Sequence, residues 1–241
     1  MLRLLVSNRF EELLESLLVE LASEDLAPFA APSVIVPSTA VRRRIELACA
    51  DREGVCANLG FSFLAQWLWQ CLGRLVDVAE QSPFSAAVLV WRVFEILGDR
   101  RFTDAQPRLA SYLRGADEVM RLELAQRSAQ LLEHYVTYRP QWLERWASGQ
   151  GAGIPGLTVT QRADEDWQAA LWRRLTAELG VPRRHPAVDF FARVEQLGDD
   201  ALVRAGLPPS ASVFCLPTLP PLHLELLRGL ARCMEIRFYL L

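Results

Sequence analysis

The 241-residue sequence contains no lysine, so all 26 of its basic residues are arginines. A phosphate-binding loop of the usual kind needs glycines, which let backbone N–H groups approach phosphate, and a lysine that neutralises the β- and γ-phosphates. The turn at residues 6–12, VSNRFEE, has neither residue type and carries two carboxylates. The sequence therefore predicts that this turn does not bind ATP, and without lysine no other segment can supply the motif.

Cysteine and histidine are too few and too scattered to indicate a metal site. The five cysteines, at positions 49, 56, 71, 215 and 233, form no C-x-x-C pair, and the three histidines lack metal-ligand spacing. We therefore interpret the cysteines as free, mostly buried thiols and expect no metal and no cofactor.

Long apolar runs are also missing. None reaches the roughly 18 residues that a membrane span needs. The apolar start of the chain is too short for a signal peptide and meets charged residues at once. We expect a cytoplasmic protein without a membrane partner.

Other patterns that can carry chemistry have simpler explanations. A literal G-x-G-x-x-G at residues 151–156 follows a helical segment and contains a proline, which favours a loop over a dinucleotide site. Acidic residues at 164–166 and 199–200 lie at a predicted helix start and end, so we interpret them as capping rather than as magnesium ligands. No Ser/His/Asp or Cys/His grouping can be assembled, so no catalytic residue is predicted.

Hydrophobic periodicity predicts an α/β protein with a parallel sheet and a large helical insertion. The chain begins as strand-helix-strand-helix, continues with helices only from residue 83 to 147, passes a Gly-rich loop and two more helices, and returns to strands near its end. The predicted strands are 2–6, 33–36, 55–59, 213–216 and 235–241. Ser7-Asn8, Ser38-Thr39 and Ser62 are the expected helix caps, and the last two helices before the return span 165–179 and 187–197.

These patterns define three segments. Residues 1–82 form the first part of the α/β domain, residues 83–200 the helical insertion, and residues 201–241 the return to the α/β domain. A parallel sheet usually continues from a strand into a crossover helix. We therefore interpret the sequence as a piece of a longer protein.

The net charge of −3 indicates no strong overall attraction for nucleic acid, so local groups matter more. Arginine suits bidentate phosphate contacts, although GC-rich coding alone explains the absence of lysine.

Arginines and aromatic residues follow the predicted strands, at the sheet edge where α/β proteins usually bind ligands. This set comprises Thr39, Arg42, Arg43, Arg44, Phe61, Phe63, Trp67 and Trp69, with Tyr135, Tyr138, Arg139 and Trp142 at the end of the insertion. Single-stranded nucleic acid stacks its bases on such rings, at about 1–3 kcal/mol each. Aromatic residues at helical spacing are also common in cores, an alternative that applies above all to Trp67.

Several of these residues lie in stretches that resemble the RecC family, the gamma subunit of exodeoxyribonuclease V. The matching stretches are residues 2–3, 7–9, 36–39, 57–58, 61, 69, 138–143, 167, 171–172, 213–214 and 219–221. The resemblance implies a RecA-like, helicase-type fold, related to P-loop NTPases, whose ATP site is lost. It also implies a noncatalytic DNA-binding subunit that assembles with RecB and RecD, helps to split the duplex at a fork, and scans a single strand for the hotspot Chi.

The resemblance also implies which residues contact DNA. Family positions that line a single-strand tunnel match Thr39, Trp69, Leu131 and Arg139 in type, and Phe63 and Glu133 approximately. Pro37 and Arg43 stand where the family has amides, and Pro186 where it has an arginine. Because amides read base edges, Arg43 is expected to hold phosphate or a guanine instead, and Chi preference is expected to differ. The alternative is a structural scaffold that meets partner subunits through the helical insertion without touching DNA.

Overall fold

The computed structural model describes residues 1–24, 30–80, 82–179, 187–196 and 205–241, without the side chain of Val188. The chain divides into two compact units. The first unit comprises Met1–Asp77 and Asp189–Leu241, and the second comprises Val78–Val188. The predicted segment limit at residue 82 lies close to the junction of these units, whereas the one at residue 200 lies outside the described residues.

A five-stranded parallel sheet forms the centre of the first unit. Its strands are β1 (Leu2–Val6), β2 (Ser33–Ile35), β3 (Gly60–Ser62), β4 (Ser210–Phe214) and β5 (Glu235–Leu240). They are ordered β1-β5-β4-β2-β3, and every neighbouring pair is parallel. The carboxyl ends of all five strands therefore meet at one edge of the sheet. The prediction of an α/β fold with a parallel sheet is confirmed.

Helices connect these strands and form the second unit. In chain order they are α1 (Phe10–Ser23), α2 (Thr39–Glu53), α3 (Leu64–Leu75), α4 (Ala86–Gly98), α5 (Arg100–Thr103), α6 (Pro107–Leu113), α7 (Glu118–Tyr138), α8 (Pro140–Ala147), α9 (Val159–Leu179), α10 (Ala187–Gln196) and α11 (Pro221–Leu230). No described helix is both long enough and apolar enough to cross a membrane.

Helices α1 and α2 cover one face of the sheet. Leu17 of α1 and Ile45 of α2 are fully buried and belong to the same cluster as Val34, Phe214 and Tyr239 of three strands. The apolar side chains of α1 recur every three or four residues, which places them on one side of the helix. Burial of this stripe, rather than capping, holds α1 on the sheet.

Two strands lie elsewhere than predicted. The third strand was expected at residues 55–59, but β3 begins at Gly60, because Gly54 and Asn58 adopt positive φ values of 81° and 56° and turn the chain first. The Asn58 side chain donates to Ala30 O at 3.0 Å, which stabilises that turn. The fourth strand starts at Ser210 rather than 213 and ends before Cys215, whose φ is 48°.

Of the three expected caps, only Ser38 behaves as predicted, accepting from Val41 N at 3.3 Å. Helix α1 begins after Arg9 without a side-chain cap, and α3 begins after Phe63 in the same way. Ser62 is the last residue of β3, and Ser7 bonds to Glu12 instead of capping. Neither helix therefore depends on a polar cap.

The described residues of the second unit are helices and loops without a strand, as predicted for 83–147. Helices α4 and α7 pack side by side through Leu89, Val93, Ala125 and Ala129, all fully buried. Small alanines on α7 let the larger side chains of α4 approach closely. This pair is the main core of the unit.

Helix α9 begins six residues earlier than predicted, which corrects the interpretation of residues 164–166. Thr158 and Gln161 form a reciprocal cap, with Thr158 N donating to Gln161 Oε1 at 3.0 Å and Gln161 N donating to Thr158 Oγ at 3.2 Å. The acidic triplet therefore lies inside the helix and caps nothing. The second acidic pair, 199–200, lies outside the described residues.

Candidate nucleic-acid interface

Two of the predicted residues lie together where α2 leaves the sheet edge. Thr39 is the first residue of α2, and Arg43 follows one turn later on the same side of the helix. Both are exposed. Helix α2 can begin here because Ser38 is extended and caps it.

The positive charges of Arg42 and Arg43 are only partly neutralised by a neighbouring carboxylate. Glu46 accepts from Arg42 Nε at 2.8 Å and lies 3.5 Å from Arg43 Nη1. The hydrogen bond from Arg42, with a smaller effect of Arg43, holds the pKa of Glu46 below its ordinary value. One carboxylate is thus shared by two guanidiniums, and the Arg43 side chain remains 68% exposed. Arg43 keeps donors that face solvent and can contact phosphate.

Aromatic rings follow the neighbouring strand at the same edge. The Arg42 guanidinium lies over the ring of Phe61 of β3, 5.2 Å from its centroid. Phe63, directly after β3, is 47% exposed. The parallel pairing of β2 with β3 brings these two segments side by side. Exposed rings and exposed guanidiniums at one edge of a sheet are the combination that single-stranded nucleic acid requires.

The two tryptophans of α3 differ in burial. Trp67 is 4% exposed and belongs to the core, so the core interpretation is confirmed for it. Trp69 is half-buried and has further contacts within the protein. Only part of its ring faces solvent.

The turn after β1 presents a carboxylate. Ser7 Oγ donates to Glu12 Oε2 at 2.8 Å, and Arg9 Nη1 lies 2.8 Å from the other oxygen of Glu12. This carboxylate lies beside the first turn of α1, where the helix dipole favours negative charge.

In the second unit, Arg139 lies at the junction of α7 and α8. Its Nη1 donates to Tyr138 O at 2.8 Å, and its guanidinium lies 5.7 Å from the centroid of Trp142. Pro140 ends α7 at this point, since proline cannot continue the helical hydrogen bonds, and is the first residue of α8. The side chain of Arg139 is exposed, and its guanidinium lies over the ring of Trp142.

A series of rings connects Arg139 to the core of the second unit. Tyr135 lies 5.4 Å from Trp142 and 5.6 Å from Trp146, measured between ring centroids. Trp146 Nε1 donates to the buried Glu165 Oε1 at 3.0 Å, and Ala152 N donates to the same oxygen. Burial, and next the charge of Glu165, raises the pKa of Tyr135. This support keeps Trp142, and with it Arg139, in place.

Sequence reasoning missed Glu165 because it assumed a helix start at that residue. The signal that locates it correctly is Thr158-x-x-Gln161, a capping box that sets the start of α9 and turns Glu165 inward. Gly151 is a second signal, because a Cβ there would lie 3.2 Å from Glu165 Oε1. Only glycine lets the loop approach the carboxylate without displacement.

A family model and several curated proteins match this chain over nearly its whole length. A family model described as "RecC, N-terminal domain" matches residues 2–241. The chain belongs to the RecC family. It is 29% identical over 243 residues to the RecBCD enzyme subunit RecC of Escherichia coli, covering 98% of this chain and 21% of that protein. It is 26% identical to RecC of Haemophilus influenzae, covering 97% of this chain and 22% of that protein. It is 28% identical to RecC of Mycolicibacterium smegmatis, covering 95% of this chain and 20% of that protein.

The chain thus spans about a fifth of the length of the curated relatives it matches. The resemblance deduced from the sequence is confirmed at the level of the family. Among the described residues, no three His, Cys, Asp or Glu side chains are grouped so that they could hold a metal ion.

The two remaining candidate residues lie on α7 with different surroundings. Leu131 is 38% exposed and offers an apolar contact. Glu133 Oε1 accepts from Ala86 N at 3.0 Å, and so holds the first turn of α4. In all, Thr39, Arg43, Phe63 and Trp69 lie in the first unit and Leu131, Glu133 and Arg139 in the second. Pro186 lies outside the described residues.

Proposed function

We propose that this chain is the N-terminal, helicase-like part of a RecC-type subunit that holds unwound single-stranded DNA within a helicase–nuclease containing RecB and RecD. The observation that carries the proposal is the exposed set Thr39, Arg43 and Phe63 at the carboxyl edge of the parallel sheet, in a chain of the RecC family. In this role the subunit acts in the cytoplasm, in the repair of double-strand breaks by recombination.

The chemistry of this set fits a single strand better than a duplex. Arg43 can bind a backbone phosphate, and the ring of Phe63 can stack on an unpaired base, which a duplex does not offer. Arg139 over Trp142 repeats the combination in the second unit. Contacts with fork DNA follow if the strand passes these residues as it separates.

The subunit itself is proposed to be noncatalytic, with a RecA-like fold whose ATP site is lost. The support is the turn after β1, where Glu12 stands beside Ser7 and Arg9 and would repel a triphosphate. Turnover of ATP by the purified chain would contradict this part of the proposal.

A contribution to Chi scanning is proposed with an altered preference. Arg43 carries donors only, whereas the amide at the matching family position both donates and accepts, so the two read different base edges. Arg43→Gln is therefore expected to change which sequences are bound most tightly within the assembled enzyme, measured on a panel of single-stranded oligonucleotides. An unchanged ranking would remove Arg43 from sequence recognition.

The proposal is tested by anisotropy titration of the assembled complex with a labelled oligo(dT) strand at several salt concentrations. Arg43→Ala should weaken binding and reduce the slope of log K against log salt by about 0.7, the value for one phosphate contact on a single strand. Phe63→Ala should cost about 1–3 kcal/mol of binding without changing that slope. Trp69→Ala should have a smaller effect than Phe63→Ala, because Trp69 is half-buried.

The matched control is Arg228→Ala, which removes an exposed arginine of α11. It should leave both affinity and slope unchanged. If Arg43→Ala and Arg139→Ala behave like this control, the DNA-holding function of these residues is wrong.

A second function, scaffolding without DNA contact, is favoured by one observation. Trp91 of α4 is 65% exposed and Tyr112 of α6 is 48% exposed. Large aromatic side chains are enriched at the centres of protein interfaces. If Trp91→Ala reduces co-purification with RecB or RecD while none of the arginine variants alters DNA binding, the scaffold function is the better one.

A further inference from the structure

Among the residues that the structure describes, nothing covers one of the two faces of strand β1, and the side chains of β1 on that face are all apolar. Leu2, Leu4 and Val6 are 39%, 60% and 74% exposed. Successive side chains of a strand alternate between faces, so these three share one face. The other face is occupied, since Arg3 pairs with Glu20 of α1 at 2.7 Å and Leu5 packs against the cluster beneath α1.

The uncovered face continues a buried one. Leu4 is in register with Phe238 of β5, and Leu2 with Ile236. Phe238 and Ile236 are 3% and 0% exposed. The apolar surface of the sheet therefore extends to β1, whereas the cover supplied by the described part of the chain ends at β5. In addition, β1 is the end strand, so its outer edge has no partner among the described strands.

The topology of the sheet indicates what covers this face. The steps from β1 to β2 and from β2 to β3 run in one direction across the sheet, and their helices, α1 and α2, lie on one face. The step from β4 to β5 runs in the opposite direction. Because crossover connections between parallel strands are right-handed, α11 lies on the opposite face, the one that carries Leu4. A further step from β5 past β1 would keep this direction and place its helix over β1.

We propose that Leu2, Leu4 and Val6 form the docking face for an amphipathic helix of the same RecC polypeptide, followed by a strand parallel to β1. The length of the relatives supports this occupant, because the region matched here is an N-terminal domain that makes up only 20–22% of them. The remaining family sequence can supply the helix and the strand. The inference concerns completion of the sheet and does not depend on DNA binding.

Cysteine accessibility tests this proposal residue by residue. Leu4→Cys and Val6→Cys are introduced separately, both in this 241-residue chain and in a RecC polypeptide of full family length that contains it. Alkylation by N-ethylmaleimide is followed at each site by peptide mass spectrometry. Val19→Cys is the matched control, because Val19 is 49% exposed on α1, over the other face of the sheet.

In the 241-residue chain, all three sites should react rapidly. In the longer polypeptide, alkylation at positions 4 and 6 should slow by about tenfold or more, because a covered site reacts only after local opening. Position 19 should keep its rate. Equal rates at position 4 in both polypeptides would overturn the proposal. So would protection in the 241-residue chain that increases with its concentration, since a second copy would then be the occupant.

Discussion

Replacement of Glu165 by leucine tests the support beneath Arg139 most directly. Glu165 is 8% exposed, and its Oε1 accepts hydrogen bonds from Trp146 Nε1 and Ala152 N. Glu165→Leu keeps a side chain of similar length but leaves both buried donors without an acceptor.

The magnitude follows from these two donors. Each buried donor that loses its partner costs about 1–3 kcal/mol, so the pair costs about 2–6 kcal/mol. Burial of the apolar leucine offsets about 1.5–3 kcal/mol of this loss. With the middle value of each range, the net destabilisation of the second unit is expected at about 2 kcal/mol. Glu165→Gln retains an acceptor oxygen, and because neutral hydrogen bonds are roughly half as strong as charge-assisted ones, it should cost only about 1 kcal/mol.

Hydrogen exchange of the segment 146–153 is the most suitable assay, because it reports locally in a chain with two compact units. Exchange should accelerate strongly in Glu165→Leu and slightly in Glu165→Gln. The matched control is Asp164→Leu, one residue away, where the carboxylate forms only a surface pair with Arg108 Nε at 2.6 Å. Such pairs contribute about 0–1 kcal/mol. If Glu165→Leu exchanges no faster than Asp164→Leu, the buried carboxylate does not hold this part of the unit together.

Three further predictions concern single groups. Burial lowers the pKa of His223 to about 4, below its ordinary value of about 6.5, so protonation of His223 destabilises the folded state. The stability advantage of the wild type over His223→Gln, measured by urea denaturation, should therefore be complete above about pH 6.5 and shrink as the pH falls towards 4. Burial raises the pKa of the Cys71 thiol to about 12, so this cysteine should resist alkylation at pH 8 until the protein is unfolded; rapid labelling in the native state would contradict the packing of α3. Gly54 has a φ of 81° with open space around it, so Gly54→Ala should lower the free energy of unfolding by about 1 kcal/mol through backbone strain alone. Gly115 also lies in open space but has no positive φ, so Gly115→Ala should be nearly neutral; thermal melts of both variants check this difference.

The order of elements was predictable from local patterns. The apolar run of β1 followed by the three- and four-residue spacing of α1 identifies a strand and a helix before any contact is known. Ser38 was recognisable as a helix start, because a polar side chain at an N-cap bonds to a backbone N–H three residues later. The absence of glycine and lysine from the turn after β1 was likewise a property of a few consecutive residues.

Features that depend on distant residues were not predictable in this way. The position of β3 was wrong because residues 55–59 are as apolar as a strand, and only pairing with β2 selects Gly60–Ser62. Arg42 over Phe61 and the burial of Trp67 also require knowledge of neighbouring strands and helices. The split of the seven candidate residues between two units is a further tertiary result.

Glu165 illustrates the physical reason for this division. As one of three consecutive acidic residues, it has the same local sequence context as the partly exposed Asp164 and the exposed Asp166. Helix propensity, capping and the helix dipole act within about one turn, so the sequence by itself determined that this segment is helical and which residues can begin it. Burial, by contrast, is decided by what packs against a side chain. Only the tertiary structure, which brings Trp146 and Ala152 to the same oxygen, made Glu165 a structural centre and left its neighbours on the surface.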